Sequence, residues 1–229
     1  MWLGCDWLMA SVLVTGSNRG IGLEYCRQLR DRGFDVIAVC REPSHELQAL
    51  DVRIEAGLDQ ADPGMPADLI HRLDGLSLHW VILNAGILES IALDQLDEAS
   101  IRRQFEVNAL APLRLVRALV RQIPSGGKLA LMSSRMASID DNTSGGSYGY
   151  RMSKAALNSA GKSLAHDLKS RGIAVAILHP GLVSTRMIRF NPNGISPEQA
   201  VSGLLARIDA LSLETSGTFW HANGEVLPW

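Results

Sequence analysis

The stretch Thr15-Gly16-Ser17-Asn18-Arg19-Gly20-Ile21-Gly22 decides the fold, because it follows the apolar run at residues 11–14 and opens a segment of helical periodicity. A strand, a glycine-rich turn and a helix start make an anion site: the first N–H groups of the helix are unpaired, and the macrodipole favours negative charge there. Each glycine has its own reason. Gly16 takes the tight turn, Gly20 lets the backbone approach a pyrophosphate, and Gly22 lets helix pack against strand. The spacing is T-G-x-x-x-G-x-G rather than G-x-G-x-x-G, and a glycine turn alone is also compatible with a purely structural role. The rest of the chain has to decide.

Working outward, Ile21, Leu23, Cys26 and Leu29 recur at helical spacing, and Gly33 is a C-terminal stop. Residues 35–40 (DVIAVC) read as a buried second strand ending at Arg41. That position, about 20 residues past the glycine turn, is where a dinucleotide fold selects its cofactor: a carboxylate bonds the ribose hydroxyls of NAD, whereas a guanidinium pairs with the 2′-phosphate of NADP. Arg41 and Arg19 therefore favour NADP(H) over NAD(H), the alternative being two solvated surface charges. A weaker third strand at 52–58 leads to Asp59, which either accepts from an adenine amino group or is a turn aspartate beside Asp62-Pro63-Gly64. A short helix is expected over 66–73. The apolar run 80–83 then enters Asn84-Ala85-Gly86, small residues that leave room for a ligand at a strand's carboxyl end.

Residues 97–122 carry a long helical pattern with Asn108 inside it; Asn competes with the backbone for hydrogen bonds, which predicts a kink or a water site. The strand at 128–132 ends in Ser133-Ser134, and residues 135–147 read as a loop. A helix over 148–171 places Tyr150 and Lys154 on one face and stops at Gly172. A strand at 173–178 runs into His179-Pro180-Gly181. Ser196-Pro197-Glu198-Gln199 is a capped helix start, with the helix reaching about residue 211, and a last strand is expected at 217–220. Strands alternating with helices imply an α/β fold: a doubly wound parallel sheet with helices on both faces and a crevice at the strands' carboxyl ends, where Gly16, Asn84, Ser134 and Pro180 all fall.

Composition bounds the rest. At 229 residues and 46% hydrophobic content, residues 1–229 fit one domain. A net charge of -2 with the charges spread along the chain gives no basic stripe for nucleic acid and no membrane patch. Cys5, Cys26 and Cys40 lack metal-type or redox-type pairing, so no metal and no disulfide framework are expected, and a reducing, cytoplasmic setting is the simplest reading. The opening residues have no basic n-region and are interrupted by Asp6, which argues against a signal peptide. With Met9 a possible start, residues 1–9 are expected to be a loose extension.

Reducing a carbonyl needs a hydride on carbon and a proton on oxygen, hence a proton donor tuned towards neutral pH. A tyrosine is too weak an acid unless a cation favours its phenolate, and Lys154 one turn away is that cation. Ser134 can donate to the developing alkoxide, and Asn108 can hold a water that reconnects Lys154 to solvent.

The ordered set T-G-x-x-x-G-x-G, N-A-G, helix Asn, Ser, Y-x-x-x-K and P-G resembles the short-chain dehydrogenase/reductase family in its compact form, over roughly residues 11–220. The resemblance implies a Rossmann-type sheet, a catalytic tetrad of Asn108, Ser134, Tyr150 and Lys154, and a nicotinamide dinucleotide. It places the cofactor against Gly16, Ser17, Asn18, Arg19, Gly20, Ile21, Gly22, Arg41, Asp59, Asn84, Ala85, Gly86, Tyr150, Lys154, Pro180 and Gly181. Thr185 is implied at the nicotinamide amide and Val183 in backbone contacts.

The interval from Ser134 to Tyr150 is longer than the family usually shows, which makes Ser138 a rival for the serine and predicts that residues 138–147 bulge beside the substrate. With Arg19, Arg41 and Gly217-Thr218-Phe219-Trp220, this is similar to a carbonyl-reductase branch that includes sniffer-like and C-factor-like proteins. Tyr148 is one residue short of the spacing used by enoyl reductases, so Tyr150 keeps the acid–base role. Residues 185–196 are the expected substrate lid, with Met187, Ile188 and Phe190 giving it an apolar face for hydrophobic carbonyl or alcohol compounds. The family often forms homodimers or homotetramers through helices corresponding to 97–122 and 148–171, although sniffer-like members can be monomeric. A dinucleotide-binding sensor without turnover is the competing function.

Overall fold

Short apolar runs separated by helical segments fold here as expected, into seven parallel strands in the order β3-β2-β1-β4-β5-β6-β7. The structure is a computed structural model that describes residues 10–229; the readings made for residues 1–9, including Cys5 and Met9, lie outside the described residues. The strands are β1 (Ser11–Thr15), β2 (Asp35–Val39), β3 (Arg53–Glu55), β4 (Leu78–Leu83), β5 (Lys128–Met132), β6 (Ala174–His179) and β7 (Thr218–His221). The helices are α1 (Gly20–Asp31), α2 (His45–Gln48), α3 (Met65–Arg72), α4 (Glu98–Phe105), α5 (Ala111–Leu119), α6 (Tyr148–Asp167) and α7 (Pro197–Asp209).

Side chains alternate across a strand, and both faces of this sheet are covered, so both members of each alternating pair are apolar. Val12 and Val14 pack with Tyr25 and Leu29 of α1 and Leu204 and Ile208 of α7. Leu13 and Val81 face the other way, onto Leu115 and Leu119 of α5, Leu69 of α3 and Leu157 of α6. Cys26 and Cys40 are free and buried in the first of these layers.

Two local differences from the expected elements have clear causes. β3 is only three residues long, because Gly57 turns left-handed (φ 78°) and the next N–H groups bond back to Arg41 and Cys40. The helix expected over 97–122 is three pieces: α4, a π-helical turn at Glu106–Leu110, and α5 with a 3-10 turn at Val120–Gln122. Asn108 sits at the interruption, as its side chain suggested, but Pro112 contributes as much. Proline has no N–H to give the carbonyl four residues back, which is Asn108's own. By contrast α7 begins as expected, with a capping box in which Ser196 and Gln199 bond each other's backbone N–H at 3.2 and 3.3 Å.

Beyond β7 the chain returns to the loop after β5. The Trp229 carbonyl accepts from Ser138 Oγ (3.1 Å) and from the N–H groups of Ile139 and Asp140 (3.0 Å each), and its ring stacks on Phe219. The long interval before Tyr150 is therefore pinned by the tail.

Candidate active site

The carboxyl ends of β1, β2, β4, β5 and β6 open onto a cleft of about 660 Å³. On one side the glycine turn leaves no spare space. Gly16 (φ +66°) lies so close to the β4 end that a Cβ would stand 2.8 Å from Ala85 Cα, and one on Gly22 would stand 2.1 Å from the Gly16 carbonyl oxygen. Thr15 Oγ1 accepts from the N–H groups of Asn84 (3.1 Å) and Ala85 (3.2 Å), while Asn84 Nδ2 donates to the carbonyls of Thr15 and Gly16. These bonds lock the first turn to the N-A-G segment. No side chain caps α1 and no acid stands in its first turn, so its N–H groups are left for an anion. A backbone cradle with unpaired donors fits a diphosphate. Asn18, Arg19, Gly20 and Ile21 line the cleft, whereas the Ser17 side chain is fully buried and donates to the Val39 carbonyl at 3.0 Å, holding β2 against the turn.

At the rim, Arg41 and Asp59 face each other at 3.7 Å, both largely exposed. Asp59 lines the cleft and accepts from the Ala61 N–H at 3.0 Å, a turn contact.

Deeper in, α6 carries Tyr150 and Lys154 into the cleft, both buried. Lys154 Nζ donates to the Met132 carbonyl at 2.7 Å and lies 5.9 Å from the Tyr150 ring centroid. The Asn108 amide is fully engaged: Oδ1 accepts from the Ile87 N–H (2.8 Å), and Nδ2 donates to the Ile87 carbonyl (2.8 Å) and Ser153 Oγ (3.0 Å). Gly86 lies where the two side chains converge, since a Cβ there would be 3.1 Å from Asn108 Oδ1 and 3.4 Å from Lys154 Nζ. Of the two serines, Ser134 is the one beside Tyr150, and its hydroxyl favours the ionised phenol. Ser138 is spent on the tail, donating to Trp229 and accepting from the Asp141 N–H at 3.1 Å.

The electrostatics differ from the simple picture of a lysine acidifying a phenol. Burial pushes the Tyr150 hydroxyl up, against the pull of Ser134, and the same burial pushes Lys154 down to about 8. A lysine this dry gives up part of the charge that was to stabilise the phenolate.

Pro180 and Thr185 line the cleft, and Thr185 faces Gly20, where a Cβ would meet Thr185 Cγ2 at 3.3 Å. Gly181 (φ +86°) packs instead against His221, and Val183 is buried in a bridge to Ile195. Beneath this turn, His179 and His221 meet edge to face at 5.0 Å. Burial first, then the neighbouring His221 and Arg135, pushes His179 down to about 3.

Several cleft residues escaped the sequence reading. Ile87 follows directly on the N-A-G motif, and Gln60 follows Asp59 while tying its loop to the Val107 carbonyl at 2.9 Å; adjacency to a motif was the available signal. Cys40, expected as the last residue of a buried strand, is buried and also borders the cleft just past β2. Arg186 carried no local signal at all.

A parallel sheet with this strand order and a glycine cradle at its open edge defines, as a class, the dinucleotide-dependent oxidoreductases. Comparison with known proteins narrows the class. A family model described as short chain dehydrogenase matches residues 10–194, and the chain belongs to that family. It is similar to a 1-hydroxy-2-glutathionyl-2-methyl-3-butene dehydrogenase of Rhodococcus sp. (strain AD45), 42% identical over 226 residues that cover 96% of this chain and 100% of that protein. It is also similar to the C-signal of Myxococcus xanthus, 42% identical over 167 residues, 72% of this chain and 93% of that protein. Among solved structures, an NADPH-bound carbonyl reductase from chicken fatty liver matches with a TM-score of 0.86 at 30% identity, covering 96% of this chain and 99% of that one.

Proposed function

We propose that the chain interconverts a carbonyl compound and its alcohol with NADP(H), with Tyr150 as the acid–base residue. The observation that carries this is the convergence of Tyr150, Lys154, Ser134 and Gly86 beside a glycine cradle that fits a dinucleotide. When bound, a nicotinamide dinucleotide would supply the hydride chemistry at the substrate carbon. The cradle N–H groups hold its diphosphate, and Arg19 and Arg41 stand where a 2′-phosphate is recognised. Asp59 is then the neighbour from which Arg41 turns to meet that phosphate.

Tyr150 gives its proton to the substrate oxygen in reduction and takes it back in oxidation. Ser134 donates to that oxygen as charge develops on it. Lys154, pushed down to about 8 by burial, passes protons at working pH, with Asn108 beside it at Gly86. The side chain of Asn108 fixes the π turn to Ile87 and Ser153.

Residues 1–229 are taken as one dinucleotide-binding domain with residues 185–196 as its substrate lid, working in the cytoplasm. Leu110 and Leu113 along the α4–α5 face and Met152 on α6 are exposed, which supports a homodimer or homotetramer through these helices. The NADPH-bound carbonyl reductase supports the cofactor, and the Rhodococcus relative, whose name denotes a glutathionyl thioether bearing a primary alcohol, supports alcohols with bulky substituents.

The test is NADPH oxidation by the purified protein against aldehydes, ketones and quinones, with light scattering for its mass. Turnover that depends on Tyr150 supports the reading. Tight NADPH binding with no Tyr150-dependent oxidation would move the protein to a dinucleotide-binding signalling role of the C-signal kind.

A further inference from the structure

The lid carries charge that neither the cradle nor the proton-transfer residues use. Between Asp167 and Glu198 the chain has no acidic residue, although its net charge is -2. Within that stretch Thr185–Phe190 closes on itself. The Ile188 and Phe190 N–H groups donate to the Thr185 carbonyl at 3.2 and 2.9 Å, and the Arg189 N–H donates to the Arg186 carbonyl at 3.1 Å. Arg189 (φ 54°) and Phe190 (φ 53°) are consecutive left-handed residues that are not glycine, a conformation kept only where the surroundings impose it. The turn places Arg186, Met187 and Phe190 on the cleft, with Arg189 at its end.

Neither Arg186 nor Arg189 has an ion pair or side-chain hydrogen bond among the described residues, whereas Arg103, Arg114 and Arg135 elsewhere are all paired with carboxylates. The cofactor half already has Arg19, Arg41 and the cradle for its phosphates. Arg186 therefore stands unneutralised on the cleft beside the exposed Met187 and Phe190, with a second unneutralised guanidinium, Arg189, at the end of the same turn.

We infer that the substrate is amphipathic: an apolar carbinol or carbonyl end reaching Tyr150, joined to a carboxylate-bearing appendage held by Arg186 and Arg189. This rests on the carbonyl–alcohol reading above. Guanidinium suits the role because it pairs bidentately with carboxylate and stays charged at every working pH. In the oxidising direction, a primary alcohol loses a hydride from its carbinol carbon to the oxidised dinucleotide and its hydroxyl proton to ionised Tyr150. The products are the aldehyde and the reduced dinucleotide, and the appendage leaves unchanged.

Three alcohols sharing one 2-thioether carbinol test this: a glutathione conjugate, a 3-mercaptopropionate conjugate and a neutral ethanethiol conjugate. The wild type is expected to prefer the carboxylates over the neutral compound by about tenfold or more in kcat/KM, a gap that narrows with salt. A preference for the glutathione arm alone assigns the appendage to a peptide; equal preference for both carboxylates assigns it to the carboxylate as such.

In Arg186→Gln with Arg189→Gln the preference falls to about one, mainly through KM, and the paired lysine substitutions restore part of it. S-butylglutathione, which has no carbinol, is expected to bind the wild type by calorimetry and to lose that binding in the double variant. Equal turnover of all three alcohols, or a preference that survives the double substitution, overturns the inference and leaves the oxidoreductase reading standing. A raised NADPH Kd in the double variant with the preference intact also overturns it, by assigning the cations to the cofactor. No turnover of any alcohol or carbonyl overturns both.

Discussion

The glycine turn at residues 15–22 and the segment at 185–196, proposed above as the lid, face each other across the cleft at Gly20 and Thr185, yet they are held by opposite means. The turn is fixed from every side: Thr15 and Asn84 bond it to β4, Ser17 bonds it to β2, and a methyl group at residue 22 has nowhere to go. The lid is held by a few backbone bonds of its own, two left-handed residues and a bridge from Val183 to Ile195, while Arg186, Met187, Arg189 and Phe190 reach outward. The conformational cost of each left-handed non-glycine residue is of order 1 kcal/mol. A site built this way holds its reacting groups in one geometry and leaves the choice of substrate to side chains that can change without disturbing it.

The sharpest way to break the comparison is at the rigid side's neighbour, the phenol. In Tyr150→Phe, kcat is expected to fall about 10³-fold while NADPH binding, followed by fluorescence titration, stays within about threefold. Comparable losses in both would make Tyr150 part of the cradle. Next comes the cradle itself. Gly22→Ala forces a Cβ against the Gly16 carbonyl and should cost about 3 kcal/mol, read as a weakening of NADPH binding of roughly 100-fold. An alanine tolerated there would mean that the turn is as adaptable as the lid.

Under the lid, His179 sharpens the contrast through pH. Its imidazole is held neutral down to about 3, so the unfolded chain takes up a proton first as the pH falls through 6.5. Stability is fully present above that value and declines between pH 6.5 and 3, by about 2 kcal/mol at pH 5 from this residue alone. His179→Asn should flatten that limb of the urea-midpoint profile; an unchanged slope would show that the histidine is already protonated in the native state. The smallest effect is at the rim, where Arg41→Asp should reduce the preference for NADPH over NADH about tenfold, as measured by the ratio of kcat/KM values.

The same contrast explains what could be read before the structure. The strands were legible because each buried run is apolar on both faces, and the cradle was legible because glycine spacing encodes close approach. The Tyr150–Lys154 face followed from helical geometry. What stayed hidden depended on distant parts of the chain. The contest between Ser134 and Ser138 turns on the carbonyl of Trp229, 91 residues beyond Ser138. The interruption at Asn108 was visible in the asparagine, but its second cause, Pro112, lay four residues on. Ser17 sits in the motif, yet its hydroxyl turns inward to β2. The dryness around Lys154 comes from packing that no local spacing records, and the cations of the lid carry no motif.

The central claim, that this cleft moves a hydride between nicotinamide and a carbonyl carbon, has a direct measurement: turnover of aldehydes and ketones with NADPH deuterated at the transferable C4 position, followed by mass spectrometry of the alcohol. The account requires one deuterium on the carbinol carbon of the alcohol, formed about 10³-fold more slowly by Tyr150→Phe than by the wild type. Alcohol formed without deuterium, or formed equally fast by both proteins, would contradict it.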